Sequence, residues 1–367
     1  MNPSPIPLNP QLEQIPVYQP GRPIEEVARI HGLAPESIVK LASNENPLGP
    51  SPRALQALQA ACATVHLYPD GHAFALKARL AEKLGLTPEH LILGNGSNEV
   101  LELVGHALLR PGVDVVVSQY CFAVYPLVTR LFGARLITVP ARNFAHDLAA
   151  MRAAFTPQTR VVFIANPNNP TGTCAPPQEL RQFVESVPPD VLIVLDEAYI
   201  EFLDHPADFL PAIREGRSPN LLLVRTFSKI YGLAGLRVGY GIGHPQVVAA
   251  LEKTREPFNV NRLAQAAALA ALDDHDHVEQ TRAINKAGLR QLATGFESLG
   301  LPYIPSEANF ILVRVGNAHA VFESMLRQGV IVRPMDGYDL PEWIRISVGR
   351  PEENERCLRA LQLALNR

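Results

Sequence analysis

Leu221-Leu222-Leu223-Val224-Arg225-Thr226-Phe227-Ser228-Lys229-Ile230-Tyr231-Gly232-Leu233-Ala234-Gly235-Leu236-Arg237 is the stretch on which the fold turns. Its first four residues are apolar on both faces, as a strand covered by helices on each side must be. It then opens into a glycine-containing loop. Lys229 stands just past the strand end, where open α/β sheets bind ligands. Taken alone, such a lysine reads as a solvated surface residue. Its neighbours argue otherwise, because the Ser228 hydroxyl and the fixed cationic fork of Arg237 are both suited to a phosphate.

The same kind of run recurs along the chain. Apolar segments at residues 91–93, 114–117, 136–139, 160–165, 191–195 and 238–242 alternate with longer helical patterns. Together with 221–224 they predict an α/β fold with a mostly parallel, seven-stranded, doubly wound sheet. The run ending at Leu195 delivers Asp196, Glu197, Ala198 and Tyr199. A carboxylate there is costly to bury without a cationic partner, and an exposed acidic loop is the plainer reading. The run ending at Ala165 leads into Asn166-Pro167-Asn168-Asn169-Pro170-Thr171-Gly172, whose prolines and glycine define a rigid turn. Three strand ends thus offer Asn169, Asp196 and Lys229.

With 367 residues the chain exceeds the usual size of a single core, so two unequal domains are expected. The boundaries read as 1–40 for an arm and short helix lying on the small domain or a partner, 41–270 for a large domain, and 271–367 for a small α+β domain. Seven prolines within residues 1–23 favour an extended arm, followed by a short helix over 24–30. The Ala- and Leu-rich segment 245–272 is expected to bridge toward the second unit. Helices at 278–299 and 318–328, strands at 310–313 and 344–348, and a terminal helix follow.

Apolar residues make up 47% and charged residues 19%, a globular balance. A net charge of −3 offers no broad basic field for nucleic acid or anionic lipid. Cys62, Cys121, Cys174 and Cys357 form no CxxC pair, so neither a zinc site nor a disulfide framework is indicated. No stretch reaches the roughly 18 apolar residues of a membrane span, and a cytoplasmic location is expected. The run Asp273-Asp274-His275-Asp276-His277 holds metal-ligating types. Consecutive residues do not converge on one point, however, so a solvated helix end is expected and no metal site.

In joint order and spacing, the Asn-Pro-Thr-Gly turn, the Asp-Glu-Ala-Tyr strand end and the Ser-Lys…Gly…Arg loop resemble the fold-type I pyridoxal 5′-phosphate (PLP) aminotransferases. Residues 17–23 and 41–50 narrow the resemblance to the histidinol-phosphate aminotransferases. It extends over nearly the whole chain. It implies PLP as cofactor, held as a Schiff base on Lys229, with Asp196 facing the pyridine nitrogen and Asn169 and Tyr199 on the ring oxygen. Gly96, Ser97 and Asn98, in a Gly-rich turn before a helix, would join Ser228 and Arg237 on the phosphate. Phe122 would stack on the ring, and Tyr68 would reach the cofactor phosphate of a partner subunit in a homodimer. Arg345 and Arg333 would bind glutamate's two carboxylates or the phosphate of histidinol phosphate. Tyr18 and Asn44 would complete the substrate site. The implied reaction is L-histidinol phosphate plus 2-oxoglutarate giving imidazole acetol phosphate plus L-glutamate. An aromatic aminotransferase, a threonine-phosphate decarboxylase and a non-catalytic PLP-binding regulator are the alternatives.

Overall fold

A computed structural model of the protein describes residues 6, 8–17 and 21–365. Its strands are β1 (Val39–Lys40), β2 (Leu91–Gly94), β3 (Asp114–Ser118), β4 (Arg135–Val139), β5 (Thr159–Ala165), β6 (Leu192–Asp196), β7 (Leu221–Thr226), β8 (Gly239–Gly243), β9 (Tyr303–Ile304), β10 (Phe310–Arg314), β11 (Val330–Ile331), β12 (Arg333–Met335) and β13 (Leu340–Ser347). Seven of them form the expected sheet in the order β2-β8-β7-β6-β5-β3-β4. Only β8 runs antiparallel to its neighbours, β2 and β7.

The continuous apolar character of these strands has a direct cause. Val162, Ile164, Ile193, Leu195, Leu221 and Leu223 enter the core on one face of the sheet. The residues between them, Val161, Phe163, Leu192, Val194, Leu222 and Val224, enter the core on the other. Side chains alternate across a strand, so a sheet covered by helices on both faces leaves no polar positions.

A separate core is built from residues at both ends of the chain, Val27 to Ala42 and Leu292 to Leu361. Here β12-β13-β10-β9 form an antiparallel sheet, and β1 pairs in parallel with β11. Two expectations change. The Ala-rich segment is not one bridging element but two helices, Pro245–Glu252 and Arg262–Ala271, with Phe258 at φ +58° in the break beside Pro257. Its second helix packs on the helix Pro52–Cys62. The bridge is instead the 24-residue helix His275–Ser298, which buries Leu292 and Phe296 in the separate core. At its other end, Arg282 hydrogen-bonds the carbonyls of Glu201 and Leu203. The proline-rich arm is not extended throughout either. Pro10–Gln14 forms a 3₁₀ turn capped by the Asn9 side chain and resting against the helix Val124–Leu131, because proline at the first helical position needs no donor.

Among the described residues no helix is long and apolar enough to cross a membrane.

Candidate active site

β5, β6 and β7 are consecutive parallel neighbours, so the segments leaving their carboxyl ends converge. They open on a cleft of about 400 Å³ whose walls include Asn169, Asp196 and Lys229. The cleft lies between the large sheet and the second core, which contributes Arg333, Tyr338 and Arg345.

Asp196 ends β6 and is 5% exposed. Tyr125, fully buried, donates its hydroxyl to Asp196 Oδ2 at 2.8 Å, and the Ala198 amide donates to Oδ1 at 3.0 Å. Burial pushes the carboxyl up to about 6, against the pull of these donors and of Lys229. The next residue, Glu197, turns the other way and accepts from Arg225 Nε at 2.8 Å. One carboxylate of the Asp-Glu pair thus serves the cleft and its neighbour a buried ion pair.

After β7 the chain makes a tight turn, with Ser228 N–H donating to Thr226 Oγ1 at 3.1 Å and Leu233 N–H to the Phe227 carbonyl at 3.0 Å. This turn aims half-buried Lys229 into the cleft. Its Nζ donates to the Ser43 carbonyl at 3.4 Å and lies 5.6 Å from the centre of the Tyr199 ring. Burial and the nearby charge of Arg345 lower the amine to about 8, opposed by Glu45. The free-base fraction at neutral pH is far larger than for an ordinary lysine. Tyr199 is pushed up to about 12 by burial and keeps its proton.

The helix Ser97–Leu108 points its start at the same cleft, with no side chain capping it. Ser97, Asn98, Ser228 and Arg237 surround that start. Gly96, at φ +80°, is not on the cleft wall; it makes room, since a Cβ there would lie 2.5 Å from Arg237 Nη2. Uncapped amides, hydroxyls and a guanidinium fit a phosphate. Phe122 forms another wall, edge-on to Tyr125 with ring centres 5.7 Å apart.

Arg345, 7% exposed, donates to Asn169 Oδ1 at 2.5 Å and to the Ala42 carbonyl at 3.0 Å. Across the sheet it faces Arg333 directly. Like charges opposite one another on adjacent strands repel, and an anion in the cleft relieves that cost.

Residues 36–361 match the family described as aminotransferase class I and II. The chain belongs to the class I and II aminotransferases. Over 358 residues this aminotransferase is 53% identical to histidinol-phosphate aminotransferase 2 of Nitrosospira multiformis, covering 96% of this chain and 91% of that protein. It is 53% identical to the histidinol-phosphate aminotransferase of Akkermansia muciniphila, covering 97% and 98%. Among solved structures, the histidinol-phosphate aminotransferase of Sinorhizobium meliloti in complex with pyridoxal-5′-phosphate superposes with a TM-score of 0.88 at 31% identity, covering 98% of this chain and 97% of that one.

Not every expected residue gathers in the aminotransferase cleft. Tyr68, expected at a partner subunit's site and not at this one, lies outside it, 78% exposed and stacked on Phe258 with ring centres 4.8 Å apart. Tyr18 falls outside the described residues. Asn44 lines the cleft, but its amide is engaged by Tyr199 and Ser347. The Asp273-to-His277 run is the amino end of the helix His275–Ser298, exposed at Asp273, His275 and Asp276 but buried at Asp274 and His277. Asp273 pairs with Arg79 at 2.6 Å, Asp274 caps the helix, and buried His277 has Nε2 3.1 Å from the Gly49 carbonyl oxygen. No group of three or more metal-ligating side chains gathers among the described residues. Tyr125, Tyr338 and Ser347 are site residues that no motif announces, whereas Ser43 and Glu45 lie within the 41–50 stretch that carries the resemblance.

Proposed function

We propose that the protein is a histidinol-phosphate aminotransferase that uses pyridoxal 5′-phosphate to exchange an amino group between L-histidinol phosphate and 2-oxoglutarate, giving imidazole acetol phosphate and L-glutamate. The observation that carries the substrate reading is the Arg333–Arg345 pair facing across β12 and β13 at the cleft. Two guanidinium groups form a bidentate anion clamp, able to take the phosphate ester of one substrate and the carboxylates of the other. The near-full-length likeness to the two relatives of that name supports the same reading.

When bound, the cofactor supplies an aldehyde for amino groups and a protonated ring that withdraws electrons from the substrate carbon. Lys229 is the amine that anchors it, and afterwards its Nζ takes the proton from that carbon. Asp196 holds the ring nitrogen's proton, and Asn169 and Tyr199 hold the ring oxygen. Phe122 covers the ring face. Ser97, Asn98, Ser228, Arg237 and the helix start behind Gly96 bind the phosphate.

Exposed Tyr68, beside exposed Leu67, Phe74 and Phe258, supports a homodimer in which Tyr68 completes the partner's cofactor site. The reaction's place is the cytoplasm. The chain divides functionally into an arm and short helix over 1–40, a cofactor-binding unit over 41–270 and a small unit over 271–367.

Steady-state comparison of donors tests the substrate assignment. Histidinol phosphate should exceed phenylalanine in kcat/KM by at least about 100-fold, since a phosphate dianion offers enough oxygens to reach both guanidinium groups where phenylalanine offers a single carboxylate. A preference for phenylalanine would make the chain an aromatic aminotransferase. A second expectation concerns Tyr125. Its hydroxyl favours the charged form of Asp196, so Tyr125→Phe should raise that carboxyl further and move the acid limb of the kcat profile to higher pH. A limb that stays in place, measured across pH 5–8, would remove Tyr125 from the mechanism.

A further inference from the structure

Asn44 sits at φ +55°, a left-handed conformation that asparagine tolerates better than most residues. In that conformation its backbone N–H donates to Ser347 Oγ at 2.8 Å. The Ser347 hydroxyl has one hydrogen, and it goes to Asn44 Oδ1 at 3.0 Å. These two bonds settle which way the amide points. Oδ1 faces Ser347, and Nδ2 donates to Tyr199 Oη at 3.0 Å. Asn44, Ser347 and Tyr199 are 1%, 2% and 4% exposed, so water offers no competing partners inside the chain of bonds. The Tyr199 oxygen is therefore an acceptor on the Asn44 side, and its own hydrogen is left for the cleft that the residue lines.

We propose that Asn44 and Ser347 are positioning residues that keep Tyr199 a hydrogen-bond donor toward the cleft. The relay joins the segment after β1, the last residue of β13 and the segment after β6. Arg345 and Ser347 are two apart on β13 and share a face, so the strand that presents the anion-binding arginine also sets the polarity of the tyrosine. The proposal rests on the reading that Tyr199 faces the cofactor's ring oxygen. A donor at that oxygen strengthens when the neighbouring lysine-derived nitrogen gives up its proton, and so favours the deprotonated form.

The test is a spectrophotometric pH titration of the holoenzyme without substrate, following the chromophore of the lysine-linked cofactor. Asn44→Asp keeps the shape and the left-handed backbone but puts an acceptor where Nδ2 was, so the Tyr199 proton turns away from the cleft. The midpoint should rise by about one pH unit, the size of one lost hydrogen bond to the charged form. Ser347→Ala frees the amide to rotate and should move the midpoint the same way by less. A new carboxylate also acts by charge alone, and a Tyr199→Phe background separates the two effects. There, both the Asn44→Asp and Ser347→Ala shifts should largely disappear. Equal shifts in the two backgrounds, or no shift in either variant, would overturn the relay. A midpoint unmoved by Tyr199→Phe alone would overturn the placement of Tyr199 itself, and the relay with it.

Discussion

Replacing Lys229 with alanine should lower kcat on the order of 10⁴-fold and remove the covalent link to the cofactor. The size of the effect follows from two tasks resting on one atom. Nζ is the only lysine nitrogen among the residues lining the cleft. Burial and Arg345 hold it near pKa 8, so it can both attach the aldehyde and carry a proton. No neighbour can substitute, since Tyr199 is pushed up to about 12 and Arg345 is a fixed cation. Borohydride treatment of protein incubated with pyridoxal 5′-phosphate, followed by mass spectrometry, should find the adduct on Lys229 in the wild type and none at that position in Lys229→Ala. Activity that survives the substitution would refute the mechanism.

Asp196→Asn should lower kcat by about 10³-fold while making the cofactor-free protein more stable. The two effects have one origin. Burial raises the Asp196 carboxyl from 3.8 to about 6. A folded-state pKa above the unfolded value means that this group's contribution to stability is fully present below pH 3.8 and is lost as pH rises through about 6. At pH 7.5 the charged side chain therefore costs the cofactor-free fold on the order of 3 kcal/mol. An amide of the same shape avoids that cost, its oxygen accepting from the Ala198 amide and its nitrogen donating to the Tyr125 oxygen. It cannot stabilise a proton on the ring nitrogen, which is where the activity goes. Thermal melts of the cofactor-free proteins at pH 7.5, with kcat measured on the reconstituted ones, check both arms. An unstabilised variant with wild-type kcat would contradict the role given to Asp196.

What could be read without the fold is what lies close in sequence. Asn169, Asp196 and Lys229 each follow an apolar run within a few residues, and a parallel sheet carries such ends to one edge. The bonds that tie polar partners to the site were not legible, even for Asn44, which was itself a candidate. Tyr125 is 71 residues from Asp196, Asn44 is 155 from Tyr199, and Ser347 is 303 from Asn44. Only the packing of separate elements brings these donors to their acceptors. The same holds for Arg333 and Arg345, whose individual positions were readable but whose face-to-face register depends on β12 pairing with β13. The break between Glu252 and Arg262 is hidden in the sequence for a local reason, since one proline in an alanine-rich run understates how far Phe258 departs from helical backbone.

The pairing of β1 with β11 has a consequence for biosynthesis. On a ribosome the chain emerges from its amino end, and every strand of the large sheet, through Gly243, is available well before β11 is made. The segment around Val39 cannot dock until Val330 has left the exit tunnel. The piece that carries Asn44 thus waits for strands translated long after it, and the cleft closes only once β11 and β13 have emerged.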